Sequence, residues 1–348
     1  MTIRQKLNGI EVARGVAALL VVFYHISRLF EQNSGYFPLG RFTEIGHSGV
    51  DFFFVLSGFI IYFIHRKDIG HKSQLKPYIL KRLVRIFPLF WIVFFLHLTL
   101  IPFVSSTDFP TITSGLLQLL LFPIDKKELV IGVSWTLQYE MMFYILFALL
   151  ILNRMIGRAV FAFWFLILAI QFTGLQNFNI PLFTSAFCFQ FMAGMVAARI
   201  VSTVSIQHLK YFFYIGTGLL LMTWWAELAN LLNGYGKNSR LFYGIAFALV
   251  VIGIVTIENG KNIEYPKVWL ILGKSSYSIY LTHLFFGGIY YKIMDLMGVL
   301  IIFPSFISLL IVILFTVVSG VLFSNIIEFP VTKYLRSKLI VNKHEIAV

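Results

Sequence analysis

The sequence predicts an all-α fold, a polytopic integral membrane protein with about ten transmembrane helices. Three observations predict it. Hydrophobic residues make up 59% of the 348 and charged residues only 12%, about half the charge of a soluble domain, and the mean hydropathy is +0.85. Apolar stretches long enough to cross a bilayer recur along the chain. Cations gather in alternate connections between those stretches. There is no low-complexity segment, soluble extension or internal repeat, so residues 1–348 are expected to form a single membrane-embedded domain.

The apolar stretches lie near 10–30, 48–65, 86–104, 134–152, 159–175, 181–200, 210–228, 241–258, 275–294 and 299–324. With both termini cytoplasmic, the inner connections hold about 20 Lys and Arg, densest at Arg66, Lys67, Lys72, Lys76, Lys81, Arg82 and Arg85. The outer ones hold about six: Arg41, Lys126, Lys127, Lys237, Arg240 and Lys292. This asymmetry is the signature of cytoplasmic loops. It accounts for the net charge of +13 without a nucleic-acid partner. Segment 112–123, between Pro110 and Pro123, is too short to span and is expected to be re-entrant or interfacial. The first apolar run does not read as a cleavable signal, because Arg14 and His25 interrupt it and no small-residue cleavage site follows. Cys188 is the one cysteine, so no internal disulfide forms, and it reads as buried packing.

The first span carries the sharpest chemical signal. Arg14 and His25 are eleven residues apart, and eleven steps of about 100° return to nearly the same helix face, roughly 16 Å along the axis. A cation and an imidazole at that depth face a cavity or a partner and mark a functional path. Glu140, in the span near 134–152, falls at a depth close to that of His25. A carboxylate orienting an imidazole is the arrangement of a general base. His283 is the main rival base, while His97 reads as structural.

Arg82 and Arg85 share a helix face. Composition alone favours membrane anchoring for them, and a phosphate clamp is the alternative. Asp51 opens the second span as a plain N-cap or a substrate contact, and Ser57 and Gly58 are small residues suited to close helix packing. Trp135 and Tyr139, beside Glu140, read as outer-interface anchors or, next to a carboxylate, as an aromatic platform for a sugar ring. Glu328-Phe-Pro330 is expected to stop the last helix. Asp51 and Glu44 are too sparse to hold a metal for glycosyl transfer, and no metal is expected. A transporter or flippase for a lipid-linked sugar is the alternative class.

Five segments in this order resemble the acyltransferase-3 family of bacterial membrane acyltransferases: Arg14-x10-His25; Gly-Val-Asp51-Phe-Phe-Phe-Val-Leu-Ser57-Gly58-Phe59; Arg82-x-x-Arg85-Ile-x-Pro88; Trp135-Thr-Leu-x-Tyr139-Glu140 with Tyr144; and Ser276-Tyr277-Ser-Ile-Tyr280-Leu-x-His283. The wording around Glu140 is similar to the exopolysaccharide-type O-acetyltransferases. The resemblance implies a multi-pass protein of the bacterial inner membrane that takes acetyl-CoA, or another short acyl-CoA, from the cytosol. The acceptor it implies is a glycan or glycolipid hydroxyl beside membrane lipid. It makes Arg14 and His25 the essential pair and supports Glu140. It raises Arg82 and Arg85, with Arg14, as contacts for the CoA phosphates and arm. Asp51, Trp135, Tyr139 and His283 are then expected on the substrate side.

Overall fold

The computed structural model describes residues 7–340 apart from 36, 105–109, 174–179, 181, 205–206, 261–262 and 304. The described residues form helices joined by turns and short irregular segments, with no strand among them. In chain order the helices are α1 (Asn8–Ser34), α2 (Gly49–His65), α3 (Leu75–Val104), α4 (Ile112–Leu119), α5 (Trp135–Leu152), α6 (Arg154–Thr173), α7 (Ala186–Thr203), α8 (Tyr211–Leu228), α9 (Lys237–Gly260), α10 (Lys267–Lys274), α11 (Ser276–Leu296), α12 (Val299–Ile302), α13 (Ser305–Phe323) and α14 (Phe329–Leu339).

Among the described residues, seven segments have the length and hydropathy to cross a membrane: α1, Gly40–His65, Gly132–Leu152, α6, α7, α9 and Ser305–Leu339. Most expected spans fall on a single helix, the stretch near 299–324 is divided between α12 and α13, and the count of ten is not confirmed. Residues 174–175, 181 and 304 of the expected spans lie outside the described residues. In α8 Tyr, Trp, Thr and Glu227 dilute the hydropathy, and in α11 Ser, Tyr, His283 and Lys292 do so. The third helix starts at Leu75, ahead of its apolar stretch near 86–104, and carries Arg82 and Arg85, as their shared face predicts. One expectation is corrected. The last helix does not stop at Glu328-Phe-Pro330. It widens into a π-helical turn, Ser324–Glu328, and resumes as α14 with Pro330 in its first turn. Proline is tolerated there because no intrahelical N–H is required of it.

The chain contacts divide into two compact units. The first comprises residues 1–67 and 162–276, and the second 68–161 and 277–348.

In the first unit α2 packs along α7, α8 along α9, α7 along α9 and α1 along α10. The buried core includes Val55, Phe59, Ala198, Tyr243, Val251 and Val255. The α2–α7 crossing is set by glycine. A Cβ on Gly58 would run into the Phe191 carbonyl oxygen, and one on Gly194 would run into the Val55 carbonyl oxygen. Backbones this close require small residues on both helices. Gly194→Val should therefore force the helices apart and cost about 3 kcal/mol or more. Size-exclusion and thermal-stability measurements should show loss of the monodisperse peak, while Gly218→Ala, whose added Cβ meets nothing within 4 Å, should behave as the parent protein. At the start of α1, both carboxylate oxygens of Glu258, near the end of α9, accept from the Gly9 amide at 3.2 Å. A carboxylate there satisfies an orphan N–H and complements the helix dipole.

In the second unit α3 packs against α5 and α14. The Tyr78 hydroxyl donates to the Tyr144 carbonyl at 3.1 Å, and Tyr277 donates to the Ile86 carbonyl at 3.0 Å. The segment before α5 is fastened by Gln118, whose amide donates to Ser134 at 2.8 Å while its carbonyl accepts from the Val130 amide at 2.9 Å. Helix α4 is eight residues long, about 12 Å, so the 112–123 segment does not span as a helix.

Candidate active site

Arg14 and His25 lie on one unbroken helix of 27 residues. Arg14 forms an ion pair with Glu11 at 3.0 Å, with 12% of its side chain exposed. His25 is half-buried, and its Nδ1 lies 3.1 Å from the Val21 carbonyl. A carbonyl can only accept, so the Nδ1 of neutral His25 carries the proton and Nε2 keeps its lone pair. The same tautomer is set in His97 by Val93 at 2.9 Å and in His283 by Tyr280 at 2.6 Å, so the tautomer does not separate the three. Access does separate His283 from the others: it is completely buried, whereas His25 and His97 are partly exposed.

Around His25 the first unit builds a polar cluster that the sequence reading missed. The Tyr24 ring meets the His25 ring edge-on at 4.8 Å, and its hydroxyl is 2.7 Å from that of Tyr235. The Tyr235 ring lies 4.7 Å from His47. His47 Nε2 donates to Glu227 at 2.8 Å, and its Nδ1 accepts from Arg240 at 3.4 Å. Arg240 pairs with Asp51, Tyr243 donates to Glu227, and Gln190 donates to both Asp51 and the Arg240 carbonyl. Asp51 is the third residue of α2 and fully buried, so it is not an N-cap. Arg240, expected as an outer-loop cation, is 8% exposed inside α9. Its charge is compensated by a carboxylate, as burial requires. Burial, followed by the bond to Tyr24, holds the Tyr235 phenol above its ordinary titration range, so it remains a neutral hydroxyl.

A second feature of this unit is an apolar cavity of about 520 Å³, lined by Gly9, Ala13 and Ala17 of α1 with Trp224, Phe247 and Ile254. These α1 positions lie on average about 110° round the helix from Arg14 and His25.

In the second unit Arg82 is 9% exposed and sits over the Tyr78 and Tyr144 rings, at 6.0 and 5.7 Å. Arg85 is in the electrostatic field of Glu140, Glu328, Tyr144 and Tyr277. Glu140 accepts from Tyr144, one turn along α5. Glu328 accepts from Ser278 at 2.6 Å and from Ser324 at 2.9 Å. Arg336 of α14 is within the repulsive field of both Arg85 and Arg82. Three guanidinium groups thus gather where the sequence reading named two. Arg336 is one of the cations counted in the inner connections, and only the continuation of the helix past Pro330 carries it here. Trp135 and Tyr139 meet edge-on at 5.9 Å, and the Lys126 ammonium lies 4.1 Å over the Trp135 ring.

His25 and Arg14 therefore belong to one unit, and Glu140, Arg82, Arg85, Trp135, Tyr139 and His283 to the other. No group of three or more metal-ligating side chains occurs among the described residues.

The acyltransferase domain of the acyltransferase-3 family matches residues 7–324. The chain belongs to that family. This membrane acyltransferase is also 27% identical over 267 residues to the exopolysaccharide production protein ExoZ of Rhizobium meliloti (strain 1021), a match covering 71% of the chain and 78% of the relative. No solved structure matches it. The family match takes in every residue assigned from the sequence, whereas Arg336 lies beyond it.

Proposed function

We propose that the protein transfers an acetyl group, or another short acyl group, from cytosolic acyl-CoA to a hydroxyl of an exopolysaccharide or lipid-linked saccharide. It does so in the bacterial inner membrane with both termini cytoplasmic. The observation that carries this reading is His25, held with a lone pair on Nε2 and on the same continuous helix face as Arg14, in a chain of the acyltransferase-3 family. The similarity to an exopolysaccharide production protein supports the acceptor class.

In this reading Arg82, Arg85 and Arg336 hold the CoA phosphates through guanidinium forks, and Arg14 steadies the pantetheine arm. His25 Nε2 takes the proton of the acceptor hydroxyl as its oxygen attacks the thioester carbonyl. The tetrahedral adduct collapses with cleavage of the C–S bond. The new ester stays on the saccharide, and the CoA thiolate leaves and recovers the proton from His25. Glu140 is the catalytic carboxylate. Trp135 and Tyr139 serve the substrate side of their unit, the fully buried His283 takes no direct part, and Asp51 serves the acceptor indirectly by holding the buried Arg240.

The test is thiol release from acetyl-CoA by the purified protein in nanodiscs, with and without the host's pool of lipid-linked and polymeric glycans. Acceptor-dependent release is expected. Glu140→Gln should lower turnover while leaving acetyl-CoA affinity near that of the parent. Well-folded protein that neither binds nor turns over any short acyl-CoA would overturn the reading and leave transport as the alternative.

A further inference from the structure

We infer that Tyr235, Tyr24 and Arg28 form a binding subsite for a neutral pyranose unit beside His25, held in shape by the buried Asp51–Arg240–His47–Glu227 network. The inference rests on the saccharide-acceptor reading and specifies where that acceptor is gripped.

The subsite starts from a short loop, Leu232-Asn-Gly-Tyr-Gly236, between α8 and α9. Gly234 is buried flat against the Glu227 carboxylate, and an added Cβ would overlap it. Glu227 is in turn fixed by His47 and Tyr243. The next residue, Tyr235, is thereby presented outward on a rigid base, 53% exposed, with His47 against its ring. An exposed aromatic ring on a fixed backbone supplies amphipathic contact area at low entropic cost, which suits the C–H face of a sugar.

Around that ring are the hydrogen-bonding groups a sugar needs. The Tyr24 hydroxyl pairs with that of Tyr235, and the Arg28 guanidinium stands 5.9 Å from the centre of the Tyr24 ring. Arg28 also pairs with Glu31 at 2.6 Å and Glu44 at 3.2 Å, and Arg41 pairs with Glu44 at 3.2 Å. Two arginines balance two glutamates, so the patch offers donors and acceptors with no net charge. That balance selects a neutral sugar over a uronate or a phosphate. Tyr24 spans the two functions, with its ring against His25 and its hydroxyl on Tyr235. A sugar seated on Tyr235 is therefore placed beside the side chain that borders the base. His47 itself has both ring nitrogens engaged, so it is a positioning residue rather than a second base.

The experiment measures saccharide binding without any acyl donor. Oligosaccharides released from the host's exopolysaccharide and de-acylated are titrated onto the nanodisc-embedded protein by saturation-transfer NMR. Tyr235→Ala should weaken binding about tenfold, as loss of an anchoring tyrosine does, and Tyr235→Phe should weaken it less. Tyr214→Ala, an exposed tyrosine on α8, should not alter it. Glu227→Gln should raise the KM for acceptor while leaving the KM for acetyl-CoA near the parental value, both measured well below the variant's own Tm. Parental affinity in Tyr235→Ala, or no binding by the parent protein, overturns the subsite. Thiol release measured on the same samples judges the acyl-CoA reading separately, because the binding titration contains no donor.

Discussion

His25→Ala should release no acceptor-dependent thiol from acetyl-CoA. Loss of a positioned general base costs on the order of 10²–10⁴-fold in rate, enough to place transfer below detection in a membrane assay. The comparison with the other histidines gives the result its meaning. All three share the Nδ1-protonated tautomer fixed by a backbone carbonyl, so chemistry alone would let any of them act. His97→Ala should keep transfer, and His283→Ala should keep a measurable rate, because His283 has no exposed surface from which to reach a substrate. Acetyl-CoA affinity should survive in His25→Ala, since the guanidinium cluster assigned to the phosphates lies in the other unit. Full activity in His25→Ala would overturn the assignment of the base.

The largest effect on stability is expected at Arg240. Arg240→Met leaves the Asp51 carboxylate fully buried without its ion-pair partner, at a cost of about 3–5 kcal/mol. Asp51→Leu should cost a similar amount by stranding the guanidinium. The double variant removes both charges and should recover most of the loss, because a buried pair contributes little beyond the desolvation it offsets. A double-mutant cycle on thermal or denaturant unfolding reads this directly. Additive losses in the double variant would show that the two charges are not coupled.

The helices and the acyltransferase motifs were legible because they are local. A run of apolar residues, an Arg-x10-His spacing or an Arg-x-x-Arg pair is complete within one segment of chain. The Asp51–Arg240–His47–Glu227 network was not legible, because its members come from four elements and the closing pairs are 180 and 189 residues apart. Arg240 sits one turn into α9, where a sequence count of loop cations absorbs it, although its charge is buried. Glu227 at the end of α8 looks like an ordinary interfacial carboxylate. The one sequence hint was Asp51 itself, a carboxylate near the start of an apolar run, which implies a buried cation without naming it. Arg336 was hidden differently: Pro330 reads as a stop, and only the π-helical turn before it lets the helix continue.

The Glu258 carboxylate on the Gly9 amide fixes the axial register of α1. Sliding the helix along its axis would strip a buried N–H of its acceptor. His25 lies sixteen residues from Gly9, roughly 24 Å up the shaft, so a contact at one end of the helix sets the height at which the imidazole is presented at the other.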